Sequence, residues 1–194
     1  MFIPTRRLAA AAVSFACAAA PAAASDDQAA MQAFLDANLR GFAEAPEIVS
    51  AVAAQNAITA GYDQAEIDAL DQTWRAEVGA VDTPLISGVL DNQASDFLRA
   101  RIEAGKGSIT EVFVMDARGL NVATALVTSD YWQGDEEKFY ETFAKGPDAT
   151  HFGEVERDES TGIYQAQISF TLTDPATGVP IGAMTVGVNA EALF

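Results

Sequence analysis

The sequence predicts an α+β fold in which the helices of the first half pack on a five-stranded antiparallel sheet made by the second half. Three observations carry this. From Gln28 to about Gly105 apolar residues recur at three- and four-residue steps. After Gly107 the period changes to two. Short turn sequences join most of the period-two segments, and strands joined by short turns run antiparallel.

The chain opens on an export pattern. Arg6 and Arg7 precede an apolar run from Leu8 to Ala20, and Pro21 and Ala22-Ala23-Ala24 then lead to Ser25, Asp26 and Asp27. Positive start, apolar middle and small residues before an acidic stretch describe a signal peptide over 1–24, cleaved near Ala24. The run is too short for a membrane anchor, which needs about 20 apolar residues. No strong apolar pair follows Arg6-Arg7 at once, which favours the general export route over the twin-arginine one. Ser14 rather than Leu stands three residues before Cys17, which argues against lipidation. The expected location is periplasmic.

Met31, Phe34, Leu35, Leu39 and Phe42 mark an N-terminal helical segment, 25–44, interrupted by Gly41 and Pro46. The main domain, 45–194, continues with Ile48, Val49, Val52 and Ile58 on a helix ending at Gly61. Asp63, with Glu66 three residues on, is a capping pair for a helix that buries Ile67, Leu70, Trp74 and Val78. After Thr83-Pro84, Leu85, Val89, Leu90, Phe97, Leu98 and Ile102 predict one further helix, stopped by Gly105-Lys106-Gly107.

The strands begin at Ile109–Met115. Asp116-Ala117-Arg118-Gly119 suits a type I turn, and Leu120–Val127 returns as a hairpin partner. A helix is expected over Gly134–Lys145, then a strand over His151–Arg157 and a turn at Asp158–Gly162. Tyr164, Ala166, Ile168, Phe170 and Leu172 alternate with Gln165, Gln167, Ser169 and Thr171, so one face is core and the other is wet or faces a polar pocket. Asp174–Gly178 turns into a last strand, Ile181–Val188, whose Gly182 and Gly187 predict a bend or a close backbone approach.

Composition narrows the function classes. Cys17 is the only cysteine, so after cleavage no disulfide, thiol nucleophile or thiolate metal site remains. Loss of Arg6 and Arg7 takes the net charge from −17 to −19, a surface that repels nucleic acid. His151 is the only histidine and has no partner for a metal pair; it is read as structural, with a pH-sensitive role as the alternative. No nucleophile elbow, phosphate loop or dinucleotide fingerprint occurs. Asp135 and Glu136 can do acid–base work only if one is buried with a raised pKa; otherwise they are an acidic helix start. No catalytic residue, cofactor or metal ligand is assigned.

The most informative stretch is Thr128–Glu136. It puts Tyr131 and Trp132 in a connection between strand and helix, either capping the core or offering flat faces to a ligand. Asp130 can pair with an amine and Gln133 can give a directional hydrogen bond.

Taken together, the hairpin with Asp116-x-x-Gly119, the strand Leu120–Thr124, the Ser129–Glu136 loop, the helix and the three-strand meander resemble the extracytoplasmic PAS-like sensors called Cache or PDC domains, over roughly residues 45–193. The resemblance implies a PAS-like sheet with long N-terminal helices packed on it. It also implies a small ligand, an amino acid, amine or carboxylate, between the sheet and the loop–helix cover. By position the implied ligand-binding residues are Asn121, Thr124, Asp130, Tyr131, Trp132, Tyr164 and Gln167. A carboxylate would call on Arg118, Lys138 or Arg75, and a cation on Asp130 beside Trp132. Asp130 and Asp135 lack the spacing of a calcium loop. The sequence departs from most such sensors in closing at Phe194 just after the last strand. The expectation is therefore a periplasmic sensory module that passes its signal to a membrane sensor protein. The competing expectation is a structural or interaction protein with a filled pocket, acting as a homodimer through the helical face of Phe34, Leu39 and Phe42.

Overall fold

The computed structural model describes residues 26–157 and 162–193. The signal segment, Cys17, residues 158–161 of the predicted turn, and Phe194 lie outside them.

Six α-helices fill the first half. α1 (Asp26–Phe34) passes through a π-helical turn (Leu35–Leu39) into α2 (Arg40–Ala43). Pro46, whose missing N–H costs nothing at a first helical position, starts α3 (Pro46–Thr59). The predicted capping box opens α4 (Gln64–Glu77): Glu66 N donates to Asp63 Oδ1 at 3.0 Å and Asp63 N to Glu66 Oε2 at 2.9 Å. The single helix expected after Pro84 is two, α5 (Pro84–Leu90) and α6 (Gln93–Ala104). Asn92 divides them by accepting from Ser95 N at 2.9 Å and donating to Val89 O and to Val122 O on the sheet. The free N–H groups of α5 are met by the buried Glu77 carboxylate, which accepts from Leu85 N (3.2 Å) and Ile86 N (2.9 Å).

The architecture is α+β, with an antiparallel sheet. β1 (Ile109–Asp116) and β2 (Asn121–Thr124) form the predicted hairpin, closed by Gly119, which adopts φ 81° as only glycine does readily. A short helix, α7 (Glu137–Tyr140), and a 3₁₀ turn (Phe143–Lys145) replace the longer helix expected from Gly134. The expected strand His151–Arg157 is two pieces, β3 (Thr150–Phe152) and β4 (Glu156–Arg157), both paired to β5 (Tyr164–Thr173). β6 (Pro180–Asn189) pairs with β5 and with β1, so five strands run in the order β2-β1-β6-β5-β3, and the two-residue β4 pairs with β5 beside that path. The two β6 glycines do mark close approach: a Cβ on Gly182 would lie 2.1 Å from Met115 O, and one on Gly187 2.7 Å from Thr110 Oγ1.

The sheet has two unlike faces. One buries Val112, Val114, Ile168, Leu172, Val186 and their neighbours against Met31, Leu35 and Leu39 of the N-terminal segment, Ile48 and Val52 of α3, and Leu98 of α6. The other carries a small apolar cluster, Phe113, Met115 and Ala183 under Phe139 and Phe143, and is otherwise polar. A third cluster joins α4 and α5 to the hairpin edge through Ile67, Trp74, Ile86, Val89, Leu120 and Tyr131.

Candidate functional site

Antiparallel partners share a face, so register assembles the polar side from distant residues. Thr124 lies opposite Phe113, Phe113 opposite Thr185, Thr185 opposite Ser169, and Ser169 opposite His151, one row across the whole sheet. The Ser169 and Thr185 hydroxyls meet at 3.0 Å with no exposed surface. The next row is Glu111, Gly187 and Gln167. Gln167 Nε2 donates to Glu111 Oε2 at 3.4 Å, and Thr110 Oγ1 to Gln165 Oε1 at 2.9 Å. Gly187 leaves the middle of that row without a side chain, which deepens it.

α7 roofs this face. Its Lys138 is pulled inward: the ammonium sits 5.4 Å from the centroid of the Phe113 ring and 2.8 Å from Glu136 Oε2. On the other flank His151 Nε2 is 3.7 Å from Glu137 Oε2. Between roof and sheet lies a cleft of about 590 Å³ whose walls include Glu136, Lys138, His151, Glu154, Gln165 and Gln167. That is a donor set for binding: amide and ammonium donors, and carboxylate acceptors in excess. It holds no nucleophile seated on a base. Asp135 is exposed and Glu136 is partly exposed and paired with Lys138, so neither has the burial that acid–base work requires. Among the described residues no group of three His, Cys, Asp or Glu side chains is placed to hold a metal ion.

The first part of the Thr128–Glu136 segment, as far as Gln133, lies at the hairpin edge of the sheet against α4, and Asp135 and Glu136 then enter the cleft wall. Trp132 bridges to Leu120 as an added rung beyond β2. Tyr131 stacks on Trp74 at 5.4 Å between centroids and 19° between planes. Asp71 Oδ1 accepts from the backbone N–H of both Tyr131 (2.9 Å) and Trp132 (3.1 Å). Its Oδ2 accepts from Arg75 at 2.7 Å, and Arg75 also reaches Asp130 Oδ2 at 3.3 Å. The hydrogen bond to Asp71 raises the Arg75 guanidinium further above its ordinary value. Asn121 Nδ2 donates to Thr128 Oγ1 and to Asp130 O, Gln133 Nε2 to Asp130 Oδ1, and Trp132 Nε1 to Arg118 O.

The seven ligand-binding residues named from the sequence are therefore not brought together. Asn121, Asp130, Tyr131 and Trp132 form one bonded group at the hairpin edge. Thr124 is buried in the Phe113 row. Gln167 lines the cleft under α7. Tyr164 is exposed at the start of β5, opposite Arg157. Of the three cations named for a carboxylate, only Lys138 lines the cleft, while Arg75 is engaged with Asp71 and Asp130. The polar β5 residues were visible as an alternation. Glu111 and Thr185 were not, because cross-strand register alone makes them neighbours of that strand, and neither was Glu154, which reaches the cleft from the connection between β3 and β4.

No protein-family model matches the sequence, and no curated protein does. Solved structures do. The sensor domain of the histidine kinase DctB from V. cholerae is 16% identical, with 86% of this chain and 58% of that one aligned at a TM-score of 0.39. The ligand-binding domain of the Campylobacter jejuni chemoreceptor Tlp3, in complex with 4-methylisoleucine, is 11% identical, with 88% and 62% aligned at 0.40. An extracellular ligand binding receptor from Desulfohalobium retbaense is 16% identical, with 75% and 25% aligned at 0.38. The chain spans less than two thirds of the length of each.

Proposed function

We propose that this chain is a periplasmic, small-molecule-binding sensory module whose ligand occupies the cleft between α7 and the polar face of the sheet, and whose loaded state is read by a membrane sensor protein. One observation carries the reading. Beside the apolar cluster that packs under Phe139, the same sheet face directs Gln165, Gln167 and His151 into a cleft, with Lys138 turned in from the roof. Polar groups drawn out of water cost free energy unless something bonds them, and convergent polar groups in a cleft are the usual mark of a binding site. Lys138 suits a carboxylate; Glu136, Glu137 and Glu154 suit an ammonium. An amino acid satisfies both, ahead of a simple amine or acid.

The interaction reading has less surface to act through. Leu39 is fully buried, Phe34 packs on the main core, and Phe42 meets Phe97 edge-on at 6.2 Å. That helical face is used inside the domain.

A thermal-shift screen of amino acids, amines and organic acids tests the proposal. A ligand at about 100 times its Kd adds about 2.7 kcal/mol, which raises the melting temperature by roughly 5–10 °C for a domain of this size. The shift should vanish in Lys138→Ala and Gln167→Ala. A panel with no shift at all, or a shift indifferent to both substitutions, sinks the proposal.

A further inference from the structure

We propose a second binding site, independent of the cleft under α7, in the groove between α3 and α5: it takes a small neutral molecule carrying one O–H or N–H donor. The groove has a volume of about 790 Å³, and its floor includes Val122 and Tyr131. Much of its wall is apolar, Ala51, Ala54 and Ile58 on α3 and Leu85 and Val89 on α5, with Ser50, Asn92 and Gln93 among them. It stays open because the wall residues are small. A Cβ placed on Gly88 meets nothing within 4 Å, and Ile58 at the rim is 66% exposed.

The floor carries the second observation. Tyr131 is 6% exposed, and its ring is held by Trp74, its N–H by Asp71 and its carbonyl by Asn121 N. Its hydroxyl makes no hydrogen bond among the described residues, and Tyr131 lines the groove, so a ligand can take up that hydroxyl. Gln55 lines the groove as well. Its Nε2 donates to Asp116 Oδ2 (3.1 Å), Asn121 O (3.2 Å) and Leu120 O (3.3 Å), three acceptors that fix which way the amide faces. Gln55 Oε1 is left as an acceptor with no donor among the described residues. Gln55 and Tyr131 both line the groove, and an amide oxygen with a phenolic hydroxyl fits a ligand group that both donates and accepts.

Charge selects against ions. Among the lining residues Glu47 is the only charged one, at the first turn of α3. A carboxylate ligand would meet no cation there. An ammonium would have to leave water for a floor whose nearby carboxylate, Asp116, has no exposed surface and already accepts from four donors. A neutral alcohol, phenol or amide matches the walls and the floor together.

The test is a titration of the ¹⁵N-labelled full chain, followed by NMR, with phenol and cyclohexanol as neutral probes and benzoate as the charged counterpart. Millimolar phenol or cyclohexanol should shift the amide signals of Ala51, Ala54, Val89 and Tyr131, and benzoate should not. Ala54→Phe fills the groove from an exposed helix position, so it should abolish the shifts with the melting temperature kept. Tyr131→Phe keeps the stacked ring and should weaken binding roughly fivefold. Lys138→Ala should leave binding unchanged, which separates failure here from failure of the cleft under α7. Absence of shifts with both neutral probes, equal binding of benzoate, or full affinity in Ala54→Phe overturns the proposal.

Discussion

Asp116 shows how one side chain holds three elements in place. It has no exposed surface, yet its two oxygens accept from four donors. Arg118 N (2.8 Å) and Leu120 N (3.0 Å) shape the β1–β2 turn, while Thr59 Oγ1 (2.7 Å) and Gln55 Nε2 (3.1 Å) tie α3 to it. Asp116→Ala strands all four donors in a dry place, and a loss of about 3 kcal/mol or more is expected in urea unfolding. Tyr131 is the opposite case. Its hydroxyl makes no hydrogen bond among the described residues, so Tyr131→Phe should change stability at pH 7 by no more than about 1 kcal/mol. The difference appears in alkali. Burial raises the Tyr131 phenol above its ordinary value, and the charge of Asp116 adds to this. Between the unfolded value of about 10 and the raised folded one, the native chain holds a proton that the unfolded chain has released, so stability falls as pH rises above about 10. Below that pH the contribution is fully present. Thermal melts from neutral pH to above pH 10 should therefore decline less steeply for Tyr131→Phe than for the parent. Parallel curves would mean that this phenol does not titrate late.

At the level of elements, α4 is the piece that fastens the loop. Trp74 is fully buried, donates from Nε1 to Thr128 O at 2.9 Å and stacks on Tyr131. Trp74→Ala should cost about 3–5 kcal/mol. Hydrogen exchange of the Tyr131 and Trp132 amides should speed up more than that of β5, since their Asp71 contact depends on α4 being docked. Equal acceleration everywhere would show global loosening instead. Much of this layer was legible. The capping box at Asp63 and the Asp116–Gly119 turn are local patterns, and they form locally, whereas the β5 alternation holds only in part, since Tyr164 is exposed and Ser169 and Thr171 are buried. The division of α5 from α6 was not legible, because Asn92 caps one helix while donating to Val122 O, a partner 30 residues away. Nor was the shortness of α7. Gly134 lies flat against Trp132, where a Cβ would sit 2.3 Å from the indole nitrogen, and the chain becomes helical only at Glu137. The cleft was half legible for the same reason: alternation shows that Gln165 and Gln167 leave the core, but only pairing with β3 and β6 shows what stands beside them.

For the whole molecule, the dominant long-range force is self-repulsion. The chain carries 28 acidic residues against 11 basic ones, a net charge of −17. Compacting that charge costs free energy that the unfolded chain, being larger, pays less of. The described ion pairs recover little. Arg40–Asp36 and Arg99–Asp96 are single-turn contacts on exposed helix faces, a class worth about 0–1 kcal/mol each and weakened by salt. The two effects of salt oppose each other, and their ranges decide which wins. Screening shortens the Debye length from about 30 Å at 0.01 M to about 3 Å at 1 M. Repulsion summed over many carboxylates acts across the molecule and is lost over that interval, whereas contacts near 2.6 Å survive most of it. Stability should therefore rise with sodium chloride from about 0.01 M to about 1 M, by several degrees in melting temperature at pH 7. The gain should shrink as pH falls toward the carboxylate range near 4, where protonation removes the repulsion without salt. A melting temperature that stays flat or falls with salt at pH 7 would place the fold's electrostatic balance in the local pairs instead.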